Sequence, residues 1–121
     1  MVANIVYLAV FTVILAAGQV LFKKVGLTIA GLPLTSGLRG ALCDPLLYGA
    51  LALYGLATLM WVWILSRVPL SQAYPWVAFG TVLVSLLGWC VFGERLVPTF
   101  WVGMMLIVAG LLVIQYSSQS I

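Results

Sequence analysis

The charged residues of this sequence divide it into apolar runs, four of which are long enough to cross a bilayer. Five basic and two acidic side chains are spread over 121 positions: Lys23, Lys24, Arg39, Asp44, Arg67, Glu94 and Arg95. The uncharged stretches cover 2–22, 25–38, 45–66, 68–93 and 96–121. A spanning helix needs about 20 mostly apolar residues, and four of the stretches meet that length. The other one, 25–38, is short and is broken by Gly26, Gly31, Pro33 and Gly37. It reads as a loop with interfacial character. In lipid every backbone polar group must be satisfied internally, so the four long runs are expected as helices at about 3–22, 45–66, 70–93 and 98–116. A transmembrane barrel shows alternating segments of about ten residues, whereas these runs are continuously apolar. The expected fold class is an all-α membrane protein with four transmembrane helices.

Composition supports lipid as the solvent. Hydrophobic residues make up 65% and charged residues 6% of the chain, against about 25% charged in a soluble domain. The net charge of +3 comes from basic residues at helix ends and is no nucleic-acid footprint. Lys23 and Lys24 follow the first apolar run instead of preceding it, which argues against a cleaved signal peptide. Cys43 and Cys90 are the only cysteines and histidine is absent, so no metal or other cofactor is expected. No Ser-His-Asp set, carboxylate pair or phosphate-binding glycine loop can be assembled, and the chain does not read as an enzyme.

Local signals mark the helix ends. Asp44 caps a helix whose first position is Pro45. Pro75 removes an amide donor and predicts a break or kink at Tyr74-Pro75. Pro98 introduces the last helix. In the segment 25–44, Thr35-Ser36 fits either the cap of a short interfacial helix over 37–43 or an irregular loop. The bias of basic residues toward connections 1–2 and 3–4 places both tails outside the cytoplasm.

Polar groups within membrane helices are costly and mark candidate sites. Thr12, Gln19 and Lys23 share one helical face, with the small Gly18 beside them. They form either a substrate-facing stripe that ends in a cation, or a packing contact plus a lysine that snorkels to the interface. Tyr74, Thr81 and Ser85 form a second stripe beyond the Pro75 break, where freed carbonyls are tolerated if they line a cavity. Tyr54, Thr58 and Trp61 share a face of the second crossing, as path lining or as packing. Glu94 at the membrane edge fits a surface ion pair or a functional acid. Gly103 and Gly110 make a small-residue seam suited to a subunit interface or to packing within one subunit.

These residues resemble a known group. Ala17-Gly18-Gln19 with Lys23, Ser66-Arg67-Val68-Pro69-Leu70-Ser71, Ala73-Tyr74-Pro75, Gly93-Glu94-Arg95-Leu96 and the run over 103–110 look like a short EamA-type member of the drug/metabolite transporter superfamily. The chain is similar to the small multidrug resistance exporters, and closer to aminoarabinose-phosphoundecaprenol flippase subunits of the ArnE and ArnF type. The resemblance implies a bacterial inner-membrane protein that works as a dimer, commonly antiparallel, with itself or with a similar four-helix subunit. It carries Gln19, Lys23, Tyr74, Pro75 and Glu94 over as functional positions. The exporters hold a glutamate in the first helix, and the matching register here is Leu15. That departure argues against proton-for-cation exchange.

The leading expectation is a flippase subunit for an anionic lipid such as a polyprenyl-phosphate-linked sugar, with Lys23 as the phosphate partner. The alternatives are an exporter of cationic or neutral small molecules held by Tyr54, Trp61, Tyr74 and Trp76, and an accessory membrane subunit that does not itself transport.

Overall fold

The computed structural model describes the backbone of residues 2–120 and the side chains of residues 3–117. Six helices follow one another: α1 (Val2–Thr28), α2 (Leu34–Cys43), α3 (Pro45–Leu65), α4 (Leu70–Ala73), α5 (Pro75–Phe92) and α6 (Pro98–Ser120). No strand occurs among the described residues. Four segments are long and apolar enough to cross a membrane: Ala3–Thr28, Pro45–Leu65, Leu70–Phe92 and Pro98–Ser117. The third crossing is α4 and α5 together. The architecture is therefore the all-α, four-crossing class that the charge spacing predicts.

α1 does not stop at residue 22. It continues through Lys23-Lys24 to Thr28. Lysine is a good helix former, and about 20 residues already span the ~30 Å of hydrocarbon, so the last turn and a half extends beyond it. The Thr28 hydroxyl then donates to the Val25 carbonyl at 2.6 Å, and Gly31, at φ 84°, turns the chain. The helix in the following segment is real but longer than 37–43. It begins at Leu34 behind Pro33, and no side chain caps it. Thr35 and Ser36 lie inside its first turn and do not act as its cap.

Asp44 caps α3 as its position predicts, its Oδ1 accepting the Leu46 amide at 2.9 Å. Its other oxygen stands 3.3 Å from the Thr28 hydroxyl as a second, weaker acceptor of the proton given to Val25, which brings the end of α1 beside the start of α3. At Tyr74 the helix pattern is interrupted for one residue, yet the backbone stays right-handed helical (φ −64°, ψ −34°). Pro75 offers no amide to the Ser71 carbonyl. The break therefore lies in the hydrogen bonding, while the torsions at Tyr74 remain helical.

α1 is the hub. It packs on α3 and on α5, while α6 leans on α5 and, to a lesser extent, on α4. Close approach is achieved with small residues, as in other membrane bundles: Ala16, Ala50, Ala57 and Ala73 are all buried. The core gathers Leu8, Phe11, Ala57, Ile64, Val68 and Ala73. Phe11 stacks on Trp61 with centroids 4.8 Å apart, and Tyr7 meets Trp63 edge-on at 4.5 Å. Much of the remaining apolar surface is exposed and faces lipid, which is the expected balance for a thin bundle.

Candidate functional site: a groove between α1 and α5

Two hollows of about 300 and 230 Å³ join end to end along the α1–α5 contact. Both are lined by Gln19, Val84 and Ser85, so they form one groove. Thr12, Leu15 and Tyr54 line its inner part. Lys23, Gly88 and Glu94 line its outer part. The spacing of Thr12, Gln19 and Lys23 on one face of α1 is thus realised as a single wall.

The polar groups of that wall differ in what they have to offer. Thr12 is buried, and its hydroxyl is committed to the Leu8 carbonyl at 2.8 Å. Ser85 likewise donates to the Thr81 carbonyl at 2.8 Å, leaving its oxygen lone pairs as acceptors. Gln19 reaches across to α3 and donates through Nε2 to the Tyr54 hydroxyl. Gly18 makes this possible. A Cβ at that position would stand 2.5 Å from Cε2 of Tyr54, inside the ring's own space. Leu15 adds an aliphatic side chain to the inner wall.

The outer end is closed by charge. Gly93 ends α5 in the left-handed conformation (φ 65°), and its amide and that of Glu94 both turn back to the Gly88 carbonyl. This C-terminal motif carries Glu94 back over α5. Its carboxylate lies on Gly88, where a Cβ would come within 2.6 Å of Oε2. Glu94 Oε1 then stands 3.8 Å from Lys23 Nζ, with both side chains about half exposed (46% and 48%). Glu94 therefore pairs with a cation on α1, and the neighbouring Arg95 is not the partner the fold selects. Gly88 carries no polar or charged group that marks it in the sequence. Its only signal there is a glycine five residues before Gly93.

Other candidate residues lie elsewhere. Tyr74, Pro75, Thr81 and Ser71 line a separate hollow of about 580 Å³ between α5 and α6, closed on the far side by Leu106, Ile107 and Gly110. Thr81 lines both this hollow and the groove. Of the α3 trio, Tyr54 faces the groove. Thr58 donates to the Tyr54 carbonyl at 2.8 Å, and Trp61 is packed against Phe11 and Tyr74. The aromatic residues do not converge on one cage: Tyr54 packs on Phe22 and Trp76 on Phe79. Arg67, the cation of the 2–3 connection, lies 4.4 Å over the Trp63 ring. Gly103 and Gly110 meet nothing within 4 Å where a Cβ would stand, so packing among the described residues does not require glycine at either position.

A third hollow adjoins the groove. About 500 Å³ in volume, it is lined by Val13, Ala16, Ala17, Val20, Leu21, Leu83, Leu87 and Val91, all apolar. Ala16 belongs to its wall and to the inner groove, and Val20 to its wall and the outer groove.

Comparison with known proteins fits this geometry. The small multidrug resistance protein family matches residues 42–107, from the end of α2 into α6. The chain belongs to the small multidrug resistance family. Among its relatives, a probable 4-amino-4-deoxy-L-arabinose-phosphoundecaprenol flippase subunit ArnE of Salmonella typhi is 33% identical over 82 residues, covering 68% of this chain and 74% of the relative. Proteins of the same description from Salmonella paratyphi A and Salmonella choleraesuis match to the same extent. No solved structure matches. Family and fold together make the chain a multi-pass protein of the bacterial inner membrane, a transporter or flippase subunit and not an enzyme.

Proposed function

We propose that this chain is one subunit of a flippase for an anionic lipid, with a polyprenyl-phosphate-linked sugar as the substrate class. The observation that carries the reading is the junction of two unlike spaces. A groove with Gln19, Tyr54 and Ser85 on its walls ends at Lys23, and an apolar hollow shares Ala16 and Val20 with it. An amphipathic lipid has the same two parts. Lys23 serves as the point charge for the phosphate, Gln19, Tyr54 and Ser85 offer hydrogen bonds to sugar hydroxyls, and the chain of isoprene units stays against apolar surface. The printed description of the relatives names a lipid of this chemistry.

Leu15 supports the same direction. The chain holds two acids, Asp44 capping α3 and Glu94 at the membrane edge, so no carboxylate lies within a crossing to bind proton and cation in turn. In the absence of lipid, Glu94 occupies Lys23 and gives way when a phosphate arrives. The groove is open along its length in one chain, and a second four-helix subunit, identical or similar, encloses the path. The Gly103–Gly110 seam of α6, where an added Cβ meets nothing within 4 Å, is the surface through which the two join, with the α5–α6 hollow that Gly110 borders at its edge. An antiparallel pair supplies the inverted repeats used for alternating access.

The test is flipping of a fluorescent polyprenyl-phosphate sugar in proteoliposomes. The wild-type protein flips it, with the similar subunit added if needed. Loss of a charged hydrogen-bond partner costs about 1.5–3 kcal/mol, so Lys23→Ala lowers the initial rate at subsaturating lipid by roughly 10- to 100-fold. A Lys23→Ala protein that flips at the wild-type rate overturns the assignment.

A further inference from the structure

The helix between the first two crossings has a surface that the flippase reading does not use. We infer that α2 is an interfacial anchor whose Leu34-Leu38-Leu42 ridge lies in the acyl-chain boundary of the bilayer. Around the helix, at about 100° per residue, its side chains fall into three sectors. Gly37 and Gly40 face the protein: a Cβ at Gly40 would stand 3.3 Å from Cγ2 of Ile29, and Gly37 is buried against the same side chain. Leu34, Leu38 and Leu42 form the second sector and are 77%, 55% and 60% exposed. Thr35, Ser36, Arg39 and Cys43, all exposed, form the third. Polar and apolar residues are more sharply segregated in α2 than in any of the long helices.

The position of α2 decides what covers the leucines. Its C-terminal end joins a membrane-crossing helix through Asp44 alone and its N-terminal end joins another through the turn 29–33, and Thr28 and Asp44, 3.3 Å apart, bring the ends of those two helices together. The helix is therefore confined to one membrane surface. There, one sector rests on the protein, one meets water and headgroups, and the leucine sector is left for acyl chains. Arg39 lies beside that ridge at headgroup level, where anionic lipids attract it. An amphipathic helix of this kind buries its apolar face about 5–10 Å into the boundary. The anchoring has a consequence for the groove. Lys23 lies five residues before the end of α1 at Thr28, about 7.5 Å along a helix, so a fixed α2 holds Lys23 close to the depth of lipid phosphates.

Spin-label accessibility tests this. Leu38→Cys, Leu42→Cys, Ser36→Cys and Arg39→Cys are each made in a Cys43→Ser, Cys90→Ser background. They are labelled with a nitroxide in phosphatidylethanolamine–phosphatidylglycerol vesicles. The expected result is an oxygen-to-nickel-chelate accessibility ratio several-fold higher at 38 and 42 than at 36 and 39. A ratio that is flat along the helix overturns the anchor, because α2 then stands in water. Low access to both reagents at 38 and 42, with spin–spin broadening, also overturns it, because a second copy then covers the ridge. A Cys90→Ser chain, otherwise native, gives an independent check: Cys43 reacts with a water-soluble maleimide in permeabilised vesicles. Protection of Cys43 there contradicts the proposed rotation of the helix.

Discussion

α1 is held between α3 and α5, whereas α6 leans on α5 and α4 along one side. Both are long, apolar and uncharged through their membrane length. α1 carries Thr12, Gln19 and Lys23 on the face it shares with α5. α6 carries Gly103 and Gly110, at which an added Cβ would meet nothing within 4 Å among the described residues. The contrast teaches how a four-helix unit divides its labour. Polar groups gather where two helices of the same chain make a wall: Thr12 and Ser85 are satisfied by their own helices, and Gln19 and Lys23 find partners on other segments. On the proposed reading, Gly103 and Gly110, which meet no described atom within 4 Å where a Cβ would stand, lie on the surface left for another subunit.

Glycine substitutions sharpen this contrast most. Gly18→Val drives a side chain into the Tyr54 ring, and overpacking of this kind costs about 1–3 kcal/mol. Thermal unfolding in detergent should show a clear loss of stability. Gly103→Val and Gly110→Val meet open space and should change monomer stability by less than about 0.5 kcal/mol. The same two variants should weaken cross-linking between subunits. If Gly103→Val destabilises the monomer as much as Gly18→Val, α6 is packed in a way the contrast does not allow.

Next in size is the ion pair at the groove's end. An exposed pair contributes about 0–1 kcal/mol, so Glu94→Gln should tighten binding of a short-chain alkyl phosphate by no more than about fivefold. Isothermal titration measures it, and weaker binding in Glu94→Gln would mean that Glu94 assists the anion instead of competing with it. The smallest effect is expected at Thr58, whose hydroxyl is spent on its own helix. Thr58→Val should leave flipping within about twofold of wild type, since surface changes away from a site are near neutral.

Much of the fold could be read from where the charges fall. Apolar run lengths locate the four crossings, and Asp44-Pro45 and Tyr74-Pro75 mark a cap and an interrupted hydrogen-bond ladder where both are found. The end of α1 could not be read so well, because a lysine pair at the membrane edge leaves the helix free to continue. The stripe of Thr12, Gln19 and Lys23 was visible as helical spacing. Its partners were not. The pairing of Gln19 with Tyr54, and of Lys23 with Glu94, depends on contacts between residues far apart in sequence. Gly88 acquires its meaning only once the left-handed turn at Gly93 has folded Glu94 back over it.

Native mass spectrometry of the protein released from lipid nanodiscs puts the central claim to its most direct test. The account predicts that wild-type protein retains an undecaprenyl-phosphate-type lipid in preference to a zwitterionic phospholipid, and that Lys23→Ala loses that preference while keeping its helicity. Equal retention of the anionic lipid by wild type and Lys23→Ala would contradict the account.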